Sequence, residues 1–166
     1  MTQEEKSQYV PIEEYARLMS VAPIPAVDLI VVRGGGTKVL LGRRTDHPAK
    51  GYWFVPGGRL LRDETVPEAV RRISCRELGV ELEAGRGLGV YHHRHPRDAL
   101  GTAAGCHFVV FAVVVRWPEE ENEVVPADGS HENFRFWGVP ALLGHAAVHQ
   151  LTKNYFMPFA DNHVFS

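Results

Sequence analysis

Apolar residues recur along the chain in short runs separated by glycine, proline and polar residues, a pattern typical of strands joined by turns. The runs over residues 26–32 and 38–42 flank three consecutive glycines, and they predict a hairpin. A short aromatic segment over residues 51–55 leads into a predicted glycine turn at Gly57 and Gly58. Later strands are predicted at residues 87–92, 107–116 and 133–139.

Helical spacing of apolar residues marks the remaining elements. Helices are predicted at residues 11–20, 67–77, 141–145 and 148–156. The helix over 67–77 has a buried stripe made of Val66, Ala69, Val70 and Ile73. Early strands, one central helix and late helices predict an α/β (α+β) fold in which a mixed sheet is sandwiched between helices.

Composition narrows the class of protein. The chain has 166 residues, so residues 1–166 are expected to form one domain. A net charge of −2 gives no positive field that would attract nucleic acid or an anionic membrane. We find no apolar signal-peptide core and no run long enough to span a bilayer, so a cytoplasmic location is the expectation. Cys75 and Cys106 are predicted to be buried small hydrophobes.

Two long loops separate the later strands. They are predicted over residues 96–105 and 118–130. The second contains Glu119, Glu120 and Glu121, which we interpret as a solvated acidic stretch.

The segment from Gly57 to Val80 contains the most informative chemistry. Gly58, Glu64, Arg72, Glu77 and Gly79 have the spacing of a loop–helix–loop that resembles the Nudix box, and this implies the Nudix fold. Such a box holds a divalent metal ion against a nucleoside diphosphate.

The box is incomplete at two positions. Ile73 and Arg76 stand where it normally carries acidic residues, and only Glu77 remains of a three-carboxylate cluster on one helix face. Several carboxylates can hold several cations and activate water for attack on phosphorus. A single carboxylate indicates one Mg²⁺ that neutralises a diphosphate, with another group deprotonating the water.

The residues that flank the box narrow the resemblance. The segments 40–45 and 48–59, together with 89–93, 107–110 and the region around His131, are similar to the GDP-mannose mannosyl hydrolase branch of the Nudix superfamily. The similarity runs over about residues 12–156. It implies hydrolysis of a GDP-sugar, GDP-mannose or GDP-glucose, to GDP and free hexose with inversion at the anomeric carbon. It also implies a homodimer.

The resemblance implies a metal site and a catalytic set. Mg²⁺, with Mn²⁺ as an alternative, would be held by Glu77, the carbonyl of Gly57 and Ser130, which stands at the position of a glutamine ligand. A serine hydroxyl is a weaker Mg²⁺ ligand, so a water molecule is the alternative there. The predicted catalytic residues are His131, Arg59, Arg72 and Arg44. His131 is the expected general base and the arginines are the expected phosphate contacts.

Substrate contacts are predicted at Asp28, His93, Arg44, Arg59 and Phe108. Phe108 replaces a tyrosine, so one hydroxyl contact of the family is lost. Asp28 is an acidic residue in an apolar strand, which requires either a ligand or a structural hydrogen bond.

Several alternatives remain open on the sequence. His131 could be an exposed loop histidine, and Glu64 either supports the metal site or favours a helix start. A conventional Nudix pyrophosphohydrolase that attacks phosphorus is the second enzyme reading. A nucleotide-binding module without catalysis is the third, since lost carboxylates are also typical of such a module.

Overall fold

The computed structural model describes residues 11–118, 124 and 128–157. The strands are β1 Ile24–Arg33, β2 Lys38–Arg44, β3 Trp53–Phe54, β4 Gly57–Arg59, β5 Gly87–His95, β6 Cys106–Arg116 and β7 His131–Gly138. The helices are α1 Ile12–Val21, α2 Val66–Leu78, α3 Val139–Gly144 and α4 Gln150–Asn154.

Strand β1 is the centre of a mixed sheet. It pairs in parallel with β6 along nearly its whole length, and β5 continues the sheet beyond β6 in the antiparallel sense. The opposite edge of β1 is shared, because β2 pairs with it only near the hairpin turn and β4 takes its first half. Strand β2 then continues into pairing with β7 and β3. This division of the edge brings β1, β2, β4 and β7 close to one another.

Both faces of β1 are covered. Val27, Leu29 and Val31 point to the face that α2 covers, where they pack with Ile73. On the other face Ile30 packs with residues of α3 and α4. The predicted arrangement, a mixed sheet sandwiched between helices, is confirmed.

Helix α2 has clear signals at both ends. The Thr65 N–H donates to Glu68 Oε2 at 2.8 Å, which closes a capping box, and proline follows in the first turn. Gly79 ends the helix in the left-handed conformation, with φ of 70°. The predicted helix over 67–77 is therefore confirmed to within one residue at each end.

Some local predictions differ from the structure. The predicted glycine turn at Gly57 and Gly58 is instead the short strand β4, because its backbone hydrogen-bonds to β1. The helix predicted over 148–156 is confined to α4, where the His149 side chain accepts a hydrogen bond from the Leu151 N–H and caps the start. Cys106 is buried as predicted, whereas Cys75 is exposed because it lies on the outer side of α2.

The loop predicted over 118–130 lies mostly outside the described residues, and so do Glu119, Glu120 and Glu121. Among the residues that the structure describes, no helix is long and apolar enough to cross a bilayer.

Candidate active site

The site begins where β1, β4 and α2 meet. Gly57 of β4 pairs with Asp28 of β1, and its N–H donates to Glu77 Oε2 of α2 at 3.2 Å. A Cβ atom on Gly57 would lie 2.3 Å from Asp28 Oδ1, so only glycine fits between the two carboxyl groups.

Glu77 is a buried carboxylate with a cation already beside it. Its side chain is 2% exposed, and Arg76 Nη2 donates to its Oε1 at 2.9 Å. Burial raises the pKa of Glu77 to about 7, while Arg76 opposes the increase. Arg76 also forms an ion pair with Asp128, with Nε and Oδ2 3.2 Å apart. The arginine at a normally acidic box position therefore lies between two carboxylates.

Few side-chain donors for a divalent ion are gathered around Glu77. Within the described residues, no group of three or more histidine, cysteine, aspartate or glutamate side chains could hold a metal. Glu77 and the Gly57 backbone are adjacent, and Mg²⁺ commonly keeps several water ligands. When bound, such an ion would supply positive charge to a diphosphate.

His131 lies inside the protein rather than on an exposed loop. It begins β7 opposite Arg44 of β2, and it is 2% exposed, so the exposed-loop alternative is wrong. Its Nδ1 is 3.0 Å from Ser130 Oγ and 3.7 Å from Glu77 Oε2. A Cβ atom on Gly42 would lie 2.5 Å from the His131 ring, so the imidazole packs directly on the β2 backbone. Burial, followed by the charge of Arg44, lowers the pKa of His131 to about 3.

A cavity of about 170 Å³ lies next to this cluster. Its lining includes all five residues predicted to bind substrate, namely Asp28, Arg44, Arg59, His93 and Phe108. His131 and Glu77 are not among the lining residues. Because typical ligand pockets have about 300–1,000 Å³, this cavity has the size of a subsite for one part of a ligand rather than of a pocket for a whole nucleotide.

A larger cavity of about 550 Å³ lies around Val32, Arg86 and Trp117. None of the predicted site residues lines it. We therefore place the candidate active site at the smaller cavity, where the charged and polar side chains of Asp28, Arg44, Arg59 and His93 meet.

Asp28 has a structural partner that the sequence pattern does not single out. The Tyr155 hydroxyl donates to Asp28 Oδ2 at 2.6 Å and lies 3.1 Å from His93 Nε2. Burial raises the pKa of Asp28 to about 7 despite this hydrogen bond. Tyr155 comes just after α4, so this late part of the chain holds two residues that line the cavity, Asp28 and His93.

Arg44 connects the cavity with the Glu77–His131 cluster. It lines the cavity, and its positive charge partly opposes the increase in pKa that burial causes in Asp28 and Glu77. Its Nε is buried without a hydrogen-bond partner among the described residues. A buried donor of this kind is suited to an anionic ligand.

Arg72 of α2 forms a half-buried ion pair with Glu64, which precedes the helix. Arg72 Nη2 donates to Glu64 Oε2 at 2.8 Å and to the Arg59 carbonyl at 2.9 Å. Glu64 also accepts from the Leu61 N–H at 2.9 Å. The pair therefore fixes the backbone that carries Arg59, and the predicted phosphate contact of Arg72 remains a prediction.

Loss of this pair is expected to destabilise the fold. Glu64→Ala would remove the carboxylate that neutralises Arg72, while the Arg72 side chain, which is 9% exposed, would still be largely shielded from water. We expect the free energy of unfolding, measured by urea denaturation, to fall by about 3 kcal/mol. Glu83→Ala is the matched control, since it removes an exposed ion pair with Arg71 of the same helix and should change little. An equal effect of both variants would contradict this role.

The histidines of the cavity are expected to make the fold acid-sensitive. Burial lowers the pKa of His95 to about 4 and that of His93 to about 3. A depressed histidine pKa gives stability that is complete above the unfolded value of about 6.5 and is lost as the pH falls towards the folded value.

We therefore expect these histidines to lower the free energy of unfolding as the pH falls from 6.5 to 4, whereas protonation of Asp28 and Glu77, whose pKa values burial raises to about 7, acts in the opposite direction. His95→Gln should remove about 2 kcal/mol of that decrease, as measured by urea denaturation across the pH range. His145→Gln, at an exposed position, is the control. Parallel pH profiles for wild type and His95→Gln would show that His95 is not buried in neutral form.

Comparison with known proteins identifies the family. The model of the NUDIX domain matches residues 22–158, so the chain belongs to the Nudix family. It is accordingly a Nudix hydrolase for nucleoside diphosphate derivatives, in a family whose hydrolases generally use divalent ions such as Mg²⁺.

The individual proteins that the chain resembles share between 29% and 40% of its residues over the matched segments. The chain is 29% identical over 146 residues to the low-salt glycan biosynthesis protein Agl8 of Haloferax volcanii, which covers 88% of both chains. It is 40% identical over 77 residues to the ADP-ribose pyrophosphatase of Methanocaldococcus jannaschii, covering 45% of this chain and 44% of that protein. The crystal structure of a MutT NUDIX hydrolase from Burkholderia pseudomallei matches with a TM-score of 0.65 and 29% identity, over 81% of this chain and 95% of the other.

Proposed function

We propose that this protein hydrolyses a GDP-sugar, GDP-mannose or GDP-glucose, at the anomeric carbon of the hexose. A water oxygen forms the new bond to that carbon, and the bond from the carbon to the diphosphate oxygen breaks. The products are GDP, which keeps the bridging oxygen, and a free hexose of inverted configuration. A base accepts the proton that water loses.

The metal-donor set is the observation that carries this proposal. Attack on phosphorus in Nudix enzymes uses a cluster of carboxylates, whereas here Ile73 is apolar and Arg76 neutralises the remaining Glu77. A nucleoside diphosphate is already a good leaving group when its charge is neutralised. One ion and a few guanidinium groups are sufficient for that purpose.

The phosphate-binding part of the proposal rests on Arg44 and Arg59. Both line the cavity, and guanidinium groups suit bidentate contacts with phosphate oxygens. Glu77 and the carbonyl of Gly57 would hold Mg²⁺ or Mn²⁺, with water or Ser130 as a further ligand. Arg72 is proposed to position Arg59, because it donates a hydrogen bond to the Arg59 carbonyl.

The sugar is proposed to lie against Asp28, His93 and Phe108. These residues share the cavity, which has the size of a subsite rather than of a full pocket. Asp28 and His93 both contact the Tyr155 hydroxyl and are thereby held in fixed orientations. Fixed polar groups of this kind can select among hexose hydroxyl patterns.

His131 is the proposed general base. Its pKa of about 3 keeps it unprotonated but makes it a weak base in the free protein. A bound diphosphate would bring negative charge next to Arg44, which is one cause of the low pKa. Substrate binding should therefore raise the basicity of His131.

Among the relatives, the glycan biosynthesis protein is the one whose name suits a nucleotide sugar, since glycan assembly consumes such compounds. The match to an ADP-ribose pyrophosphatase favours the second candidate, a conventional pyrophosphohydrolase that attacks phosphorus. A binding module without turnover is the third. We also propose that residues 1–166 form one domain, that the protein is a homodimer, and that it is cytoplasmic.

Product analysis separates these candidates. Purified protein with Mg²⁺ is incubated with a panel of nucleotide sugars, and products are resolved by phosphorus NMR. The proposal predicts GDP and free hexose, with no hexose 1-phosphate. GMP plus hexose 1-phosphate would establish the pyrophosphohydrolase, and binding without turnover would establish the binding module.

A further inference from the structure

Asp128 uses both of its carboxylate oxygens to join the base-bearing loop to helix α2. Oδ1 accepts hydrogen bonds from Ser130 N at 2.9 Å and from Ser130 Oγ at 2.6 Å. Oδ2 forms the ion pair with Arg76 Nε at 3.2 Å. The Asp128 side chain is 21% exposed, so this pair is largely shielded from water.

The Ser130 hydroxyl determines where the His131 proton lies. A serine hydroxyl has one proton, and here that proton is donated to the Asp128 carboxylate, which only accepts. The contact between Ser130 Oγ and His131 Nδ1, at 3.0 Å, must then be a hydrogen bond donated by Nδ1–H. The neutral ring consequently carries its proton on Nδ1 and its lone pair on Nε2.

The surroundings of the ring agree with this tautomer. Glu77 Oε2 lies 3.7 Å from His131 Nδ1, where a carboxylate oxygen favours an N–H group over a lone pair. His131 Nε2 is buried without a hydrogen-bond partner among the described residues. A buried basic nitrogen without a hydrogen bond, in a ring that is 2% exposed, lowers the stability of the fold unless it binds a ligand or water.

We propose that Asp128 is a positioning residue, which acts through Ser130 to hold His131 in the Nδ1–H tautomer and through Arg76 to fix the loop to α2. The hydroxyl of Ser130 thereby serves the histidine rather than a metal ion. The catalytic consequence rests on the proposed function, in which Nε2 accepts the proton of water. The tautomer itself does not depend on any activity.

Nitrogen NMR of protein labelled with ¹⁵N-histidine tests the tautomer directly. The His131 signals are identified by their loss in His131→Ala, at a pH near 8 where the ring is neutral. Wild type is expected to show a protonated Nδ1 and an unprotonated Nε2. In Asp128→Ala the Ser130 hydroxyl is released to donate to Nδ1, so the proton should move to Nε2.

Two further variants keep the test decisive if Asp128→Ala fails to fold. Ser130→Ala removes the acceptor and should give a mixture of tautomers, whereas Ser130→Thr keeps the hydroxyl and should keep the Nδ1–H form. Glu83→Ala is the matched control, because it cuts a different ion pair between a loop and α2 and should leave the His131 signals unchanged. A protonated Nε2 in wild type, or an unchanged tautomer in Asp128→Ala or in Ser130→Ala, would overturn the proposal.

Kinetics then tests the catalytic consequence. With the nucleotide sugar that wild type hydrolyses, Asp128→Ala should lower kcat by about 10- to 100-fold, by analogy with the loss typical when a group that orients a metal-ligating histidine is removed. KM should change by less than about threefold, because substrate contacts are kept. An unchanged kcat beside a switched tautomer would overturn the positioning role. Absence of wild-type turnover would refute the proposed function alone, since the NMR result stands by itself.

Discussion

Replacement of His131 by alanine is expected to lower kcat for the GDP-sugar by about 10²- to 10⁴-fold, the usual contribution of a general base. KM is expected to stay nearly constant, because the cavity proposed to hold the sugar is lined by other residues. The physical reason is that the remaining base would be bulk water, which is weak and not positioned. Steady-state kinetics with phosphate-resolved products measures the effect.

An exposed histidine provides the control for this variant. His145→Ala removes an imidazole of the same kind at an exposed position after α3, and its kcat should equal that of wild type. Folding of His131→Ala is checked by urea denaturation, since the ring packs on Gly42 and leaves a void when removed. Unchanged turnover in a folded His131→Ala protein would remove His131 from the mechanism.

Arg59→Ala is expected to lower kcat/KM by about 10²- to 10³-fold, because one well-placed donor to a developing anion contributes on that scale. The Arg59 guanidinium lies 5.4 Å from the centre of the Tyr15 ring, while its carbonyl is held by Arg72. The Arg59 side chain therefore lines the cavity from β4, whose backbone is held by the hydrogen bond from Arg72. Affinity for GDP, measured by calorimetry, should fall in the same variant.

Arg62→Ala is the matched control for Arg59, since it removes an arginine from the turn that follows β4, and the Arg62 side chain is 87% exposed. We expect its kcat/KM and GDP affinity to match wild type. Arg59→Lys should recover only part of the loss, because an ammonium group cannot make the paired contacts of a guanidinium. Full activity of Arg59→Ala would show that the diphosphate lies elsewhere.

The box helix could be predicted from the sequence because its signals are local. The apolar spacing of Ala69, Val70 and Ile73 and the glycine at position 79 define α2 without reference to the rest of the chain. The mixed sheet could be predicted for the same reason, since short apolar runs separated by turns define strands that only a few sheet arrangements can accommodate. The Nudix fold itself was expected from the resemblance of the box, and it is confirmed.

The partners of the functional side chains could not be predicted, because they lie far apart in the sequence. Tyr155 is 127 residues from Asp28, yet their side chains share a hydrogen bond. The Asp128–Arg76 ion pair likewise joins α2 to a loop that is distant in the sequence. A pattern that repeats every two to four residues contains no information about such contacts.

The strand β4 was missed for a related reason. Two adjacent glycines are a strong local signal for a turn, whereas here they lie in a strand because β1 and Glu77 approach the backbone closely. The departure of Arg76 from the box was visible in the sequence. That the Arg76 guanidinium forms ion pairs with both Glu77 and Asp128 could be seen only in the structure.

The site of water attack is the central claim, and hydrolysis in ¹⁸O-enriched water tests it most directly. GDP-mannose is turned over with Mg²⁺ in labelled water, and both products are analysed by mass spectrometry. Attack at the anomeric carbon predicts one heavy oxygen in the hexose and none in GDP. Heavy oxygen in a phosphate group, with an unlabelled sugar, would contradict the proposed reaction.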